Sequence, residues 1–227
     1  KQKYINLLKL YLKSWKRKLS LVKTAGGYDI DLLCFAEAIS EVTVGYVGFE
    51  NVFGLCPSYR RSVESGLVKV NEHACATVIA GLRASSYGIP SQPIAGLQGS
   101  DVPKLTGFDK TSDPYTGEEI FMIPSITPDW AIIHVPYADR FGNARIDGGV
   151  FEDILMTRAA TQVILTAEKI EETSFFEENM IYGVDLNINI YKTFALLGKF
   201  KNTFYDIDLD GDVDSVPYIS IGISYKY

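Results

Sequence analysis

The sequence predicts an α/β protein with a mainly parallel, open sheet, flanking helices and a C-terminal antiparallel β-hairpin or meander. Two observations predict this class. Between residues 19 and 170, apolar segments of strand length alternate with segments of helical length, as in parallel α/β domains. Residues 184–190 and 219–227 instead alternate strictly between apolar and polar side chains, as in strands with one solvated face.

Glycine and proline residues separate the predicted elements. Gly26 and Gly27 end the first strand, Pro57 opens the second helix, and Gly88 ends the third. Residues 89–118, rich in glycine and proline, are predicted as a long loop region. The predicted strands are residues 19–22, 42–49, 67–70, 120–123, 131–135 and 162–166, and the predicted helices are residues 29–38, 57–64, 74–85 and 151–160.

The C-terminal alternation is concentrated in residues 184–190 and 219–227, with an acidic turn between them. Half-apolar strands of this kind belong to antiparallel sheets and not to a buried parallel sheet. We therefore predict a boundary near residues 172–182, which separates an α/β domain of residues 1–172 from a β segment of residues 182–227.

Composition excludes several classes of function. The net charge of −6 argues against general nucleic-acid binding, and two histidines argue against a His-rich metal centre. No apolar run approaches the ~18 residues of a spanning helix. Three cysteines fit free thiols in a reducing compartment, and no signal peptide is recognisable, so we expect a cytoplasmic protein. Residues 1–23 carry eight basic and no acidic side chains, so this opening would either contact a membrane or nucleic acid or form a surface helix. The helical spacing of the apolar residues from Tyr4 to Trp15 favours the surface helix.

Five residues are candidates for substrate binding. Ligands of open α/β sheets bind at the carboxyl ends of the strands. Glu50 follows such a strand end, where it would either line a pocket or accept backbone hydrogen bonds in a turn. Gly96, Gly99, Ser100 and Asp101 would form either a ligand-contacting loop or a plain cluster of turns.

Other reactive side chains are predicted to have structural roles. Cys75 is expected to be a buried helical thiol, because His73, two residues away, does not face it on a helix. His134 ends an apolar strand and is expected to be hydrogen-bonded. Arg60 and Arg61 are expected on a solvated helix face and not on a phosphate.

An acidic segment near the C-terminus partly matches a calcium-binding loop. Asp206, Asp208, Asp210 and Gly211 have the spacing with which such a loop begins, but Pro217 stands where the loop needs glutamate. We predict an acidic turn there and no metal site.

A series of short sequence motifs resembles those of a known protein family. In order and spacing, the series resembles the alpha-type subunit of family I coenzyme A transferases, that of glutaconate CoA-transferase above all, over residues 19–170. The motifs are Tyr-Val-Gly-Phe-Glu at 46–50, Tyr-Arg-Arg-Ser-Val-Glu at 59–64, Gly-Leu-Arg-Ala at 81–84, Ala-Gly-Leu-Gln-Gly-Ser-Asp at 95–101, Asp-Pro-Tyr-Thr-Gly-Glu-Glu at 113–119, Pro-Asp-Trp-Ala-Ile-Ile-His at 128–134, Ala-Asp-Arg-Phe-Gly-Asn-Ala at 138–144 and Thr-Ala-Glu at 166–168.

The resemblance implies a transferase that moves coenzyme A between an acyl-CoA and a small carboxylic acid, with CoA esters as substrates and no bound cofactor. The nucleophilic glutamate belongs to a beta-type partner, in a Ser-Glu-Asn-Gly context that this sequence lacks, so the resemblance implies a hetero-oligomer that is inactive as this chain alone. The family's Gly-Gly-Phe loop is also absent, and Cys75 stands where the family commonly has an acidic residue. A related branch hydrolyses ring-opened steroid CoA esters.

A second resemblance concerns residues 182–227, which are similar to the last strands of a small outer-membrane β-barrel that ends on an aromatic residue. An ordinary soluble hairpin is the alternative reading of this segment. Two alternatives to CoA transfer therefore stay open: a non-catalytic remnant or binding module of the same fold, and a chimera with a barrel fragment. Membrane association is not expected for the α/β part.

Overall fold

The computed structural model of the protein describes residues 18–49, 54–147, 149–178, 192–198 and 219–225. The chain divides into two compact units, residues 1–84 with 88–126 and residues 85–87 with 127–227. The predicted α/β class is confirmed, because parallel strands and helices occur in both units. The parallel strands are shared between two sheets, where we predicted one. None of the helices in the described ranges is long and apolar enough to cross a bilayer.

The first unit begins with a parallel sheet in the order β1–β2–β3. Ile30 and Cys34 of α1 pack against Val42 and Val44 of β2 in a buried cluster. Because the three strands run in one direction, their carboxyl ends share one edge of this sheet. The elements are β1 Leu19–Gly26, α1 Tyr28–Phe35, β2 Ile39–Val47, α2 Pro57–Glu64 and β3 Lys69–Glu72.

A second, antiparallel sheet completes the first unit, in the order β4–β6–β5. Two of its strands and a helix lie within residues 89–118, which we predicted as a loop, so that prediction is wrong. The two edge strands carry few apolar residues, whereas the central strand supplies Phe121 and Ile123 to the core. The elements are α3 Cys75–Ser86, β4 Ser91–Ile94, α4 Val102–Thr106, β5 Asp109–Ser112 and β6 Glu119–Pro124.

The second unit contains a five-stranded sheet in the order β11–β10–β9–β7–β8. Alternate residues of β7 and β9, such as Ile133 and Leu165, form its core, against which Met156 of α5 packs. The elements are β7 Trp130–Ala138, β8 Ala144–Arg145, α5 Asp153–Ala159, β9 Gln162–Ile170, α6 Thr173–Glu178, β10 Lys192–Gly198 and β11 Ile219–Tyr225.

The C-terminal strands differ in two respects from the prediction. β11 lies within the predicted strand 219–227 and pairs antiparallel, as predicted, but its partner is β10 and not the predicted segment 184–190. In addition, β10 pairs parallel with β9 over residues 163–165. The expectation that these strands stay apart from the parallel sheet is therefore wrong. The alternating segment 184–190 and residues 1–17 of the basic segment lie outside the described residues. The domain boundary near residues 172–182 stays a prediction.

Candidate functional site

The carboxyl edge of the first sheet carries the turn in which Glu50 was predicted to act. The Gly48 N–H donates to the Gly26 carbonyl at 3.0 Å, which joins the ends of β1 and β2. Just beyond, the Phe49 N–H donates to the Gly54 carbonyl at 2.7 Å. Glu50 lies outside the described residues, so its part in binding stays a prediction.

The start of α2 at this edge is closed by a carboxylate. Asp31 Oδ1 accepts hydrogen bonds from the Ser58 N–H at 2.6 Å and from the Tyr59 N–H at 2.9 Å. Such contacts satisfy the first-turn donors of a helix. Arg60 and Arg61 are exposed on this helix, as predicted, and Arg60 pairs with Glu64 of the same helix. Because Asp31 already accepts from two N–H groups here, this helix start is poorly suited to a phosphate.

The start of α3 brings Cys75 to the edge of the parallel sheet. We predicted a buried thiol, but Cys75 is exposed, since it is the first residue of the helix and the buried face begins at Thr77. Its Sγ donates to the Thr24 carbonyl at 3.3 Å. The backbone of α3 comes so close to β2 that a Cβ on Gly45 would stand 2.4 Å from the Cys75 nitrogen. Glycine at position 45 therefore permits this close approach.

His73 lies beside this helix start and contacts Thr77 and Phe108. Thr77 Oγ1 donates to the Ala74 carbonyl at 2.9 Å and lies 3.0 Å from His73 Nδ1. The hydrogen bond between His73 Nδ1 and Thr77 Oγ1 holds the imidazole in place. Burial lowers the pKa of His73, and Phe108 contacts the ring edge-on at 5.2 Å. A neutral imidazole so held can accept a proton.

The other thiols of the first unit are poor nucleophiles. Burial, assisted by the charge of Asp31, raises the pKa of Cys34 to about 11. Burial and the same carboxylate also raise the pKa of Cys56. The thiolate is the reactive form of cysteine, so both residues are structural. For Asp29, burial opposes ionisation, but hydrogen bonds from Lys23 and the Gly27 N–H lower its pKa overall.

The predicted loop of residues 95–101 is exposed at both glycines and anchored at its centre. Leu97 is buried with Phe121, while the Gln98 side chain accepts from the Gly96 N–H at 2.8 Å and donates to the Glu119 carbonyl at 2.6 Å. Gly96 and Gly99 have φ of +100° and +80°, and nothing lies within 4 Å of a Cβ built on either. Left-handed backbone explains why both positions are glycine.

The end of the same loop is polar and lies at the start of α4. Ser100 Oγ accepts from the Val102 N–H at 3.1 Å, and Asp101 pairs with Lys104 at 2.8 Å on the surface. The structure thus brings four of the five predicted substrate-binding residues together on one exposed loop. It does not describe the fifth, Glu50.

His134 lies in the second unit. Its Nδ1 is 2.9 Å from Thr166 Oγ1, which confirms the predicted hydrogen bond, and its Nε2 is 3.8 Å from an exposed carboxylate oxygen of Glu168. Within the described residues, no group of His, Cys, Asp or Glu side chains could hold a metal ion. The acidic segment 206–214 lies outside them.

Two buried or half-buried carboxylates were missed by the sequence reasoning. Asp31 carries no local signal, because its partners lie 27 and 28 residues further along the chain. Asp139 is 1% exposed and accepts from the Phe141 and Asn143 N–H groups, both at 2.9 Å. Aspartate shortly before a Gly-Asn pair was a readable turn signal.

Comparison with known proteins identifies the family. The family model described as Coenzyme A transferase matches residues 6–186. The chain belongs to the coenzyme A transferase family. A relative from Pseudomonas knackmussii, named as the A-type subunit of 3-oxoadipate CoA-transferase, is 32% identical over 165 residues, which are 70% of this chain and 57% of that protein.

Two further comparisons agree with this family. A relative from Rhodococcus jostii named cholesterol ring-cleaving hydrolase IpdA subunit is 28% identical over 181 residues, which cover 76% of this chain and 61% of the relative. The crystal structure of glutaconate coenzyme A-transferase from Acidaminococcus fermentans superposes with a TM-score of 0.67 at 24% identity, over 74% of this chain and 58% of that one. The chain thus spans 57% and 61% of the two curated relatives' lengths. These matches give no support to the outer-membrane resemblance of residues 182–227.

Proposed function

We propose that this chain is the alpha-type part of a cytoplasmic, hetero-oligomeric CoA-transferase that moves coenzyme A between an acyl-CoA and a small carboxylic acid. The observation that carries the proposal is the family match over residues 6–186, joined with relatives named as the A-type subunit of such enzymes. By the family resemblance, the nucleophilic glutamate belongs to a beta-type partner, and residues 1–227 contain no Ser-Glu-Asn-Gly context.

The proposed reaction balances as two acyl exchanges. The partner's glutamate carboxylate attacks the thioester carbonyl, and the C–S bond breaks. CoA departs as the thiolate, and the acyl group and the glutamate are then joined as an anhydride. The thiolate then attacks the glutamyl carbonyl, which releases the first carboxylate and forms an enzyme–CoA thioester. The acceptor acid repeats these steps in reverse. Each tetrahedral oxyanion needs nearby hydrogen-bond donors.

Glu50, Gly96, Gly99, Ser100 and Asp101 are proposed to contact the substrate. Two properties of the loop support this for its four members. Leu97 and Gln98 hold the loop in place, so that its ends need little ordering when a ligand binds. The open space around Gly96 and Gly99 lets a ligand approach the backbone closely. Glu50 is supported by its place in the sequence, directly after Phe49 at the carboxyl edge of the first sheet.

Calorimetric titration of the full chain with glutaconyl-CoA tests the proposal, with and without a beta-type CoA-transferase subunit. We expect CoA-ester binding that tightens with the partner, and transfer to glutaconate-like acids only in the complex. If a chain shown to be folded neither forms a complex nor supports turnover, the proposal is wrong and the protein is a non-catalytic member of its fold.

Variants then test the proposed contacts. Glu50→Gln and Asp101→Asn should each weaken ester binding about tenfold if the carboxylates bind the ligand. Asp109→Asn, on exposed strand β5, is the matched control and should bind as the unaltered chain does.

Hydrolysis is a second candidate activity, and one observation favours it. Three of the curated relatives are named as cholesterol ring-cleaving hydrolase IpdA subunits. Hydrolysis would use water where transfer uses a carboxylic acid. Turnover of a ring-opened steroid CoA ester by the complex, without any acceptor acid, would favour the hydrolase; dependence on acceptor concentration would favour the transferase.

A further inference from the structure

Cations and aromatic rings gather at the carboxyl ends of β7 and β9 in the second unit. Strand register places Arg145 of β8, Tyr137 of β7 and Lys169 of β9 in one row across three neighbouring strands. Directly paired residues of neighbouring strands project from the same face. The row therefore sets one positive charge on either side of a tyrosine.

Contacts confirm that these side chains share a face. Lys169 Nζ lies 5.5 Å from the centre of the Tyr137 ring. The Tyr137 ring lies 5.3 Å from that of Phe175 on α6, and Arg145 Cζ lies 5.9 Å from the Phe175 ring. Arg145 is also held by Asp147, its Nε 2.8 Å from Oδ1. The ring contacts orient Arg145 and Lys169, and an aromatic ring, unlike a carboxylate, does not cancel the charge of a cation.

The turn after β7 adds a third cation and another ring at the same strand ends. The buried Asp139 fixes this turn: besides two backbone donors, its Oδ2 accepts from Asn143 Nδ2 at 2.7 Å and from the Thr173 hydroxyl at 2.9 Å. The turn presents Arg140 to solvent, with its guanidinium 5.0 Å from the ring of Phe141, which is 54% exposed. A buried anchor therefore holds an exposed arginine and phenylalanine in a fixed turn.

Two of the three cations are free to bind an anion. Among the described residues, neither Arg140 nor Lys169 forms an ion pair, and both side chains are exposed. Arginine and lysine bind phosphate, and exposed aromatic rings stack on nucleobases. Ligands of parallel sheets bind at the carboxyl ends of the strands, where these residues lie.

We propose that Arg140, Phe141, Arg145 and Lys169, the nucleotide surface, bind the phosphorylated adenosine end of a coenzyme A ester. This rests on the proposed function and assigns one part of its substrate to this chain. The cations bind the 3′-phosphate and the diphosphate, and Phe141 stacks on the adenine.

Titration of the full chain with adenosine 3′,5′-bisphosphate tests the nucleotide surface apart from any chemistry at the thioester. We expect saturable binding that weakens as KCl rises, because the contacts are ionic. Arg140→Gln and Lys169→Gln should each weaken binding about tenfold, the loss typical of one charge-assisted contact. Arg158→Gln is the matched control, an exposed arginine in the last turn of α5, at the amino end of β9. Circular dichroism verifies that each variant is folded.

The outcomes separate this inference from the proposed function. Each of three results would overturn the nucleotide surface. The chain does not bind the bisphosphate, or Arg140→Gln and Lys169→Gln leave its affinity for the bisphosphate unchanged, or Arg158→Gln loses as much affinity as they do. If a CoA ester still binds and is turned over with the partner in those cases, the proposed function stands without it. Bisphosphate binding that depends on Arg140 and Lys169, in a chain that supports no turnover with the partner, leaves the nucleotide surface in place and rejects the transferase.

Discussion

One part of the pH dependence of the protein's stability comes from the imidazole of His73. Burial lowers its pKa in the folded chain below the ordinary value of 6.5. Between the folded pKa and that ordinary value, the unfolded chain binds more protons than the folded one, so the free energy of unfolding rises with pH. The stability contributed by neutral His73 is therefore complete above the ordinary pKa and is lost as the pH falls through the folded pKa.

We expect His73→Gln to remove this part of the acid sensitivity. Urea unfolding of the unaltered chain across mildly acidic pH should show a falling midpoint, and the variant should show a flatter profile. The exposed His134→Gln is the control and should keep the sensitivity. A variant profile that runs parallel to that of the unaltered chain would contradict the assignment.

At the scale of single residues, the sequence predicted that a side chain would be hydrogen-bonded but not which residue would be its partner. His134 was predicted to be hydrogen-bonded, and its partner Thr166 lies 32 residues further along the chain. Cys75 was misplaced, because helical spacing says which residues share a face and does not say which residue begins the helix. Asp31 was missed because only folding brings α2 to it, and a sequence pattern carries no record of such a partner.

At the scale of elements, the contact between β2 and α3 depends on the lack of a side chain at Gly45. Gly45→Ala would place a Cβ 2.4 Å from the Cys75 nitrogen and 2.8 Å from the Ala74 carbonyl carbon, and backbone cannot yield as a flexible side chain does. Overpacking of this kind costs about 1–3 kcal/mol. We expect that loss in urea unfolding, and a change in Cys75 reactivity toward a thiol reagent as α3 shifts.

Gly149→Ala is the matched control for this substitution. Its added Cβ would meet the Phe151 ring at 3.6 Å, an ordinary contact, so its stability should change little. Equal stability of Gly45→Ala and the unaltered chain would mean that α3 does not lie against β2 as described.

The sequence predicted best those elements that begin or end at a proline or a glycine. Helix α2 covers the predicted residues 57–64, because Pro57 suits a first turn and Gly66 cannot easily continue a helix. Strand β5, in contrast, is exposed along its length, so it offered no apolar alternation to detect. The two-residue period of apolar side chains reveals half-buried strands, but it does not reveal short edge strands whose side chains are all polar.

At the scale of the whole molecule, sheet membership was the least predictable property. The alternation of residues 219–227 correctly indicated that β11 pairs antiparallel, although its partner β10 was not among the predicted strands. Nothing in their alternation indicated that β10 would also pair with β9, because the pattern of one strand does not identify its neighbour. The family resemblance, which covers residues 19–170, does not reach these strands either.

This pairing makes a prediction about the end of the chain. Removing residues 192–227 would take β10 away from β9 and leave the backbone groups at Val163, Ile164 and Leu165 without their parallel partner. An uncovered apolar edge strand recruits other chains, so the shortened protein should form concentration-dependent aggregates and lose its cooperative unfolding transition. Sedimentation velocity and thermal unfolding measure both. A chain that ends at residue 225 keeps both strands and should match the full protein. A shortened chain that stays monomeric with an unchanged melting temperature would show that β9 does not need β10, and that the second unit's sheet is complete at β9.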